Sequence, residues 1–212
     1  MNEPANLGAM PLYTNLDRVE RGLAELGVGP RDAVRPEQLF ALDQWHYHGT
    51  DAVRAAAEAL GLGPGSHVLD VGAGIGGPAR YLAHAVGCHV TALELQPELH
   101  AIGVDLTRRA GLAAQVTHLC GDALEVALPT AGFDAIVSWL AILHIADRPR
   151  LLARFARALR PGGGCFVEDL CRRAPFAPGD LADLREVVCG VTVTSLEDYA
   201  ADFRGAGFVE VA

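Results

Sequence analysis

The chain has 212 residues and a formal net charge of −9, and all 17 of its basic side chains are arginines. The absence of lysine excludes Schiff-base chemistry, a phosphate-loop lysine and a lysine general base. The negative charge argues against a nucleic-acid backbone or an anionic membrane as the main partner, because both attract basic surfaces. Hydrophobic residues make up 50% of the chain and charged residues 20%, which is typical of one globular domain with an added arm.

The five cysteines are odd in number and lack Cys-x-x-Cys spacing, which argues against a zinc site and a disulfide framework. We therefore expect buried thiols in a reducing, cytoplasmic compartment. The N-terminal segment lacks the basic and apolar regions of a secretory signal. The longest apolar stretch, 135–146, is too short to span a bilayer. The sequence predicts a soluble protein that acts on a small-molecule substrate, and it leaves the oligomeric state open.

Residues 1–49 are predicted to form an N-terminal helical arm or lid, and residues 50–212 the core. Helical patches in the arm are interrupted by the segments GVGP and RP. Thr50 is predicted to cap a helix that ends at Leu60, where glycine and proline follow. The arm is therefore expected to pack beside the core as a separate helical segment.

Short apolar runs alternate with helical stretches along the core, a pattern typical of a parallel sheet covered by helices on both faces. The predicted strands are 67–71, 88–93, 115–120, 134–139, 165–168 and 208–211. The predicted helices are 76–86, 97–110, 148–159, 181–188 and 195–206. The predicted fold class is α/β, with a doubly wound sheet that ends after its sixth strand.

The strongest motif is the glycine loop Gly72-x-Gly74-x-x-Gly77, which lies between a predicted strand and a predicted helix. This is the context that a nucleotide-binding loop requires. Glycines allow a tight turn and a close approach of the backbone to a ligand. Glu94 ends the second predicted strand, where an acid is placed to bind both ribose hydroxyls. Together these residues predict a nucleotide cofactor.

Acidic residues follow three successive predicted strands and help to identify that cofactor. Asp70, two residues before the glycine loop, would repel a pyrophosphate but suits a cationic ligand. S-adenosylmethionine carries a sulfonium and an ammonium group and has no phosphate. Asp122, after the third strand, can accept a hydrogen bond from an adenine amino group. Asp70, Glu94 and Asp122 together favour S-adenosylmethionine over a dinucleotide at this edge of the sheet.

Four segments, taken in order, resemble the motifs of class I S-adenosylmethionine-dependent methyltransferases: VLDVGAGIGG, ALEL, GDALEVALPTAGFDAIVSWLAILHI and LLARFARALRPGGGCFVED. The resemblance runs from about Ala52 to the C-terminus and implies a Rossmann-like sheet. The segments GIGGPARYLA, WLAILHI and TSLEDYAADFRGAGF are similar to the small-molecule branch, which includes sarcosine/dimethylglycine, phosphoethanolamine and sterol or quinone methyltransferases. The segment DQWHYHG resembles one found in glycine-betaine-type N-methyltransferases.

The resemblance assigns a set of residues to the cofactor, position by position. They are Asp70, Gly72, Ala73, Gly74, Glu94, Leu95, Gly121, Asp122, Ala123 and Ser138. Those of the first strand and the glycine loop would surround the methionine part, and those after the second strand would hold the ribose and the adenine face. The segment after the third strand would bind the adenine edge, and Ser138 would lie beside the reactive methyl group.

Three further residues are candidates for the acceptor side. Methyl transfer to a neutral amine requires mainly alignment and exclusion of water. His144 would face the substrate as a hydrogen-bond partner or base, or would be a buried structural histidine. His46 and Tyr47 would close over the site as part of a lid, or would only dock the arm on the core. No metal is expected, because the rings of His46 and His48 would point poorly at a single ion.

Several aromatic and basic residues are expected to have structural roles. Trp139 is predicted to be a wall of the site, and Trp45 to dock the arm. Arg80 could bind a substrate carboxylate, but a surface ion pair is favoured. The arginines between Arg148 and Arg160 are predicted to lie on a solvated helix face.

The expected function is transfer of a methyl group from S-adenosylmethionine to a small polar acceptor, with an amine favoured. The alternatives are methylation of a lipid, sterol or quinone, an NAD(P)-dependent oxidoreductase, and a non-catalytic module that binds the cofactor. The related sheets end with a seventh strand that lies between the fifth and sixth, and this chain stops at Ala212. We therefore expect a truncated form, in which strand five would have an unpaired apolar edge.

Overall fold

The fold is taken from a computed structural model, in which residues 15–177 and 179–211 are described. The first 14 residues of the predicted arm, and Ala212, lie outside the described residues. Within the described part, none of the helices has the length and apolar character needed to cross a bilayer.

The helices and strands alternate through the core as the sequence pattern predicts. The helices are α1 (Arg18–Glu25), α2 (Pro36–Phe40), α3 (Gly49–Ala59), α4 (Gly77–Tyr81, continued by a π-helical turn at Leu82–Val86), α5 (Pro97–Arg109), α6 (Arg148–Ala158), α7 (Asp180–Val188) and α8 (Leu196–Gly205). The strands are β1 (His67–Val71), β2 (His89–Glu94), β3 (Val116–Cys120), β4 (Phe133–Trp139), β5 (Leu159–Glu168), β6 (Cys171–Arg172) and β7 (Thr194–Ser195). A 3₁₀ turn at Ile142–His144 follows β4.

Five parallel strands form the central sheet in the order β3-β2-β1-β4-β5, and β6 pairs with β7 in a separate parallel pair. The strand order reverses beside β1, so the chain leaves β1 and β4 in opposite directions across the sheet. Loops at the carboxyl ends of these strands therefore open a crevice, which is where open α/β sheets bind ligands. The predicted Rossmann-like α/β fold is confirmed.

The core has a layer on each face of the sheet, because alternate side chains of a strand point to opposite faces. Val68 of β1 packs with α3 and α4, whereas Leu69 and Val71 pack with α6 and α8. A third cluster joins the arm to the core: Leu23 of α1 and Leu39 of α2 pack with residues of α5. The arm is therefore fixed to the core by apolar contacts.

The prediction that Thr50 caps α3 is wrong. The helix begins one residue earlier, at Gly49, and His48 precedes it in a left-handed conformation with φ of 60°. Thr50 lies inside the first turn, where its side chain does not cap the helix end. The left-handed residue turns the chain sharply between the arm and α3, and a pattern of capping residues carries no information about such a turn.

The C-terminal part of the sheet differs from the prediction in two places. Strand β5 begins at Leu159 and not at residue 165, because an irregularity in its pairing with β4 accommodates the glycines that were predicted to end α6. The predicted sixth strand at 208–211 is wrong, and the described residues there form no strand. The Phe208 backbone N–H instead donates to the Phe203 carbonyl at the end of α8, and Val209 is 94% exposed. A strand needs a backbone partner, and a local apolar run does not supply one.

Arg80 and Arg148 are buried, so the predictions of a surface ion pair and a fully solvated helix face are wrong for them. The Arg80 guanidinium donates to the Asp43 carboxylate at 2.8 and 3.2 Å and to the Thr107 hydroxyl at 3.1 Å. Arg148 donates to Asp202 of α8 at 2.7 Å. Each arginine joins elements that are distant in sequence, and helix periodicity alone cannot identify the partner.

Candidate functional site

A cavity of about 490 Å³ lies at the carboxyl ends of the central strands. This volume falls within the range of about 300–1,000 Å³ that is usual for small-molecule sites. Its wall is formed by the arm, by the segments that follow β1 to β5, and by the end of α7. The predicted site residues that line it are His46, Tyr47, Gly72, Ala73, Gly74, Glu94, Leu95, Gly121, Asp122, Ala123 and His144.

The glycine loop is shaped by two close approaches of other chain segments. Gly72 has φ of +73°, and a Cβ there would lie 2.2 Å from the Cβ of Ala141, which follows β4. A Cβ on Gly77 would lie 2.1 Å from the Asp43 carbonyl oxygen of the arm. Only glycine fits at either position, because real Cβ atoms do not approach other atoms so closely. At Gly72 the positive φ is also unfavourable for other residues. The loop is therefore held between the sheet and the arm.

Glu94 is held rigidly at one end of the cavity. Its Oε2 accepts a hydrogen bond from the Gly74 backbone N–H at 2.8 Å, and its Oε1 accepts one from the Gln96 backbone N–H at 2.8 Å. Burial raises the pKa of this carboxyl, while the backbone hydrogen bonds oppose the shift. Each carboxylate oxygen keeps a further acceptor position. Glu94 can therefore accept hydrogen bonds from two neighbouring hydroxyl groups of a ligand.

The adenine end predicted from the sequence also lies in the wall of the cavity. Leu95 is 49% exposed, so its side chain presents an apolar surface beside Glu94. Asp122 is exposed, and its Oδ1 accepts a hydrogen bond from the Leu124 backbone N–H at 2.8 Å. This hydrogen bond fixes the carboxylate next to Gly121 and Ala123. The roles of Leu95 and Asp122 toward adenine stay predictions.

Asp70 and Ser138 lie outside the lining of the cavity, within the sheet. Ser138 is fully buried, and its hydroxyl donates to the Val71 carbonyl of the neighbouring strand at 2.8 Å. Asp70 is also fully buried, and neither carboxylate oxygen has a hydrogen-bond partner among the described residues. Burial and the nearby charge of Glu94 raise the pKa of Asp70 to about 8. Such an orphaned carboxyl makes the glycine-loop end of the site favourable for positive charge.

His144 lines the cavity after β4, within the 3₁₀ turn. Its Nδ1 lies 3.1 Å from the Cys189 carbonyl oxygen. A carbonyl oxygen only accepts, so Nδ1 carries the hydrogen and Nε2 keeps a free lone pair. Burial lowers the pKa of His144, which keeps the ring neutral near pH 7. The ring therefore has one nitrogen available to accept a proton or a hydrogen bond.

His46 differs from His144, because protein acceptors surround both of its ring nitrogens. Nε2 lies 3.1 Å from Gln44 Oε1, while Nδ1 lies 3.0 Å from the Tyr47 carbonyl oxygen and 3.6 Å from Glu168. The ring packs against Trp139 with centroids 4.8 Å apart. Burial lowers the pKa of His46, and the charge of Glu168 opposes that shift. His46 therefore holds the arm in place, and neither of its ring nitrogens is free to bind the substrate that would receive the methyl group.

The part of the cavity beyond His144 is mostly apolar. Trp139 forms part of its wall, as predicted, and Trp45 lines it as well as docking the arm. The Trp45 ring also stacks under Arg18, whose guanidinium carbon lies 3.8 Å from the ring centroid. The sequence analysis did not identify the remaining apolar wall residues, which are Leu140, Leu143, Ile145, Leu170, Val187 and Val188.

The charged side chains in the wall of the cavity are all acidic. They are Asp43, Glu94 and Asp122. Every arginine of the chain lies in the described ranges, and none of them lines the cavity. Within residues 15–177 and 179–211, no group of three or more His, Cys, Asp or Glu side chains could hold a metal ion.

Residues 68–163 match the model of a methyltransferase domain family. The chain is 33% identical over 180 residues to phosphoethanolamine N-methyltransferase 1 of Arabidopsis thaliana, and this match covers 84% of this chain and 36% of that protein. It is 31% identical over 166 residues to the sarcosine/dimethylglycine N-methyltransferase of Halorhodospira halochloris, covering 76% of this chain and 60% of that protein. The chain therefore spans between about a third and three fifths of the length of these two relatives.

Solved structures share the fold. The structure of Haemonchus contortus phosphoethanolamine N-methyltransferase 2, in complex with phosphomonomethylethanolamine and S-adenosylhomocysteine, superposes with a TM-score of 0.78. The two sequences are 23% identical, and the match covers 98% of this chain and 45% of that chain. The helices and strands that surround the cavity therefore follow an architecture already known from another protein.

Proposed function

We propose that this chain, whose residues 68–163 belong to the methyltransferase domain family, transfers a methyl group from S-adenosylmethionine to a small amine. The observation that carries the proposal is the acidic end of the cavity. Glu94 lies in its wall beside the glycine loop, and the orphaned Asp70 lies behind that loop. These carboxyls suit a cofactor that is cationic and has no phosphate.

The residues around the glycine loop suit S-adenosylmethionine better than a dinucleotide. A dinucleotide would place a pyrophosphate at the glycine loop, where it would repel the ionised form of the nearby Asp70 and where no arginine in the wall of the cavity would compensate. S-adenosylmethionine presents an ammonium and a sulfonium there, and its ribose hydroxyls match the acceptor positions of Glu94. An NAD(P)-dependent oxidoreductase is therefore the weaker interpretation.

The acceptor side supports transfer to nitrogen. When held by Glu94 and the glycine loop, S-adenosylmethionine would supply an electrophilic methyl group for bonding to the amine nitrogen, with S-adenosylhomocysteine as the leaving group. His144 orients the amine through an N–H···Nε2 hydrogen bond and takes up the proton that the nitrogen releases. Its Nδ1–H donates to the Cys189 carbonyl and so keeps the ring in the tautomer that leaves Nε2 free. His46 and Trp139 close the arm over the site and exclude water.

Two measurements test the proposal. Calorimetric titration should show binding of S-adenosylhomocysteine and no binding of NADH, whereas the reverse result would support the oxidoreductase. Incubation with S-adenosylmethionine and a panel of small amines should form S-adenosylhomocysteine and a product heavier by one methylene unit, measured by mass spectrometry. Binding of the cofactor without any product would indicate a module that only binds it.

Substitution of His144 separates catalysis from folding. His144→Ala should lower kcat by about 10²–10⁴-fold, the usual contribution of a positioned acid–base group. The matched control is His89→Ala, because His89 is an exposed histidine that begins β2, at the opposite end of that strand from Glu94. The control should keep the activity of the unsubstituted protein. Equal activity of both variants would remove His144 from the mechanism.

A further inference from the structure

We propose that the acceptor end of this cavity binds an amine carried on an uncharged, apolar body, and that it disfavours amines that bear a phosphate or carboxylate group. The inference rests on the proposed function, because it names the acceptor class of the same site. It differs from what the names of the relatives would suggest, since phosphoethanolamine, sarcosine and dimethylglycine all carry an anionic group.

The wall of the acceptor end offers apolar surface on several sides. Trp139 ends β4 and Leu143 follows it, Leu170 follows β5, and Val187 and Val188 end α7. Val187 is 65% exposed, so part of this apolar surface is in contact with solvent. An apolar acceptor that covers these side chains gains free energy in proportion to the area that it removes from water. An anionic group placed there would lose hydration and meet no positive charge, and the buried Nε1–H of Trp139 is the single hydrogen-bond donor among these side chains.

No positive side chain is available to pair with an anion at this end. Arg80 is fully buried and bound to Asp43, and Arg148 is bound to Asp202 and to the Thr192 carbonyl. All 17 basic residues of the chain are arginines, so it has no lysine. None of these arginines lines the cavity. A buried anion without a partner is strongly unfavourable.

Neither His46 nor His144 supplies the positive charge that an arginine would provide. Neutral His144 presents the Nε2 lone pair to the cavity, which repels an anion but accepts an N–H of an amine. Both ring nitrogens of His46 already face protein acceptors. Burial lowers the pKa of each ring, which opposes the positive form that an anion would require. The free Nε2 of His144 therefore suits an amine nitrogen.

A matched pair of ligands tests this selectivity. 2-Phenylethylamine and phenylalanine have the same carbon skeleton and amine, and differ only by a carboxylate. Each is titrated into the full chain saturated with S-adenosylhomocysteine, and binding is followed by the fluorescence of the two tryptophans, which both line the cavity. We expect 2-phenylethylamine to bind at least about tenfold more tightly, because the carboxylate would be left without a partner. Equal or tighter binding of phenylalanine, or no binding of either ligand, would overturn the inference.

Turnover distinguishes failure of the inference from failure of the proposed function. Methylation of phenylalanine, phosphoethanolamine or sarcosine with a kcat/KM at least equal to that for 2-phenylethylamine would overturn the inference and leave the proposed function in place. A clear binding preference for 2-phenylethylamine without methylation of any amine would overturn the proposed function. In that case the preference of the cavity itself would still stand.

A pair of variants tests whether the missing positive charge causes the selectivity. Val187→Arg adds a guanidinium to the wall of the acceptor end, and should strengthen phenylalanine binding by about tenfold while weakening 2-phenylethylamine binding. The control is Val104→Arg, because Val104 is an exposed valine of α5 outside the cavity wall and gives the same change in net charge. The control should leave both affinities unchanged. Identical behaviour of the two variants would overturn the placement of the acceptor beside α7.

Discussion

Glu168, at the end of β5, accepts a hydrogen bond from the backbone N–H of Tyr47 at 2.9 Å and so joins the sheet to a segment of the arm 121 residues away. Its second oxygen lies 3.6 Å from Nδ1 of His46. The Glu168 side chain is 17% exposed, which limits screening of this contact by water. One carboxylate therefore holds both His46 and the exposed Tyr47 at the cavity.

Loss of this carboxylate should loosen the arm over the cavity. We expect Glu168→Ala to raise KM for the acceptor by about tenfold, since a hydrogen bond to a charged group contributes about 1.5–3 kcal/mol. Glu168→Gln keeps an acceptor for the Tyr47 N–H and should recover most of the loss. Steady-state kinetics and hydrogen exchange of residues 44–48 measure both effects. Glu125→Ala, which removes an exposed partner of Arg150, serves as the control and should change neither.

Asp70 should make the stability of the cofactor-free protein fall as the pH rises. Burial and Glu94 raise its pKa from 3.8 to about 8. Between these values the folded protein keeps a proton that the unfolded chain releases, so the free energy of unfolding decreases with increasing pH. Asp70→Asn removes this titration and should flatten the decrease between about pH 5 and pH 8, as measured by urea unfolding.

The substitution Asp70→Asn should also weaken the binding of the cofactor. A bound cation favours the ionised carboxylate, so cofactor binding should release a proton from Asp70 below about pH 8. Calorimetry in buffers of different ionisation enthalpy measures that release. Asp70→Asn should abolish it and raise the Kd of S-adenosylmethionine. An unchanged Kd and an unchanged proton release would contradict the role given to Asp70.

The central sheet was predictable because its signals are local. Strand β1 was predicted at its observed bounds of 67–71, since a buried parallel strand reads as a short apolar run between turn residues. The segment 208–211 has a similar local pattern but forms no strand, because pairing depends on a neighbouring backbone and not on the segment itself. The bulge in β5 likewise depends on its register against β4.

The placement of Glu94 and Asp122 in the wall of one cavity was predictable for a related reason. Glu94 and Asp122 were located because the carboxyl ends of parallel strands meet at one edge, so strand order and residue type are sufficient. The partners of Arg80 and His46 were not predictable, because Asp43 and Glu168 reach them through tertiary packing of the arm. Val187 in the wall of the cavity belongs to a helix whose sequence pattern does not specify where it docks.

His144 should give kcat an acidic limb with its midpoint below pH 6.5. Burial lowers the pKa of the ring from 6.5, and only the neutral ring has Nε2 free to accept a proton. At saturating amine, kcat should therefore rise with pH and reach a plateau before neutral pH. His144→Gln should lower the plateau and remove this limb. A limb that persists with the same midpoint in His144→Gln would assign the titration to another group.

The ion pair of Asp43 and Arg80 should be the most sensitive polar contact between the arm and the core. Both side chains are fully buried, and Arg80 Nη2 lies 2.8 Å from Asp43 Oδ2. Removal of one partner leaves an uncompensated buried charge, which costs about 3–5 kcal/mol. Arg80→Ala should lower the free energy of unfolding by that amount in urea denaturation. The control Arg54→Ala removes an exposed arginine paired with Glu58, and should change it by less than about 1 kcal/mol.

The double variant shows whether the two charges act on each other. Asp43→Ala combined with Arg80→Ala leaves neither charge buried, so its loss of stability should be smaller than the sum of the two single losses. Asp43 also lines the cavity, and its carbonyl oxygen closely approaches the start of α4. The double variant should therefore lose less stability than the two single variants lose in sum. Its cofactor affinity should stay reduced, because the arm no longer supports the glycine loop. Strictly additive losses would mean that Arg80 is held mainly by Thr107 and the Gly103 carbonyl, and that its ion pair with Asp43 does not hold the arm to the core.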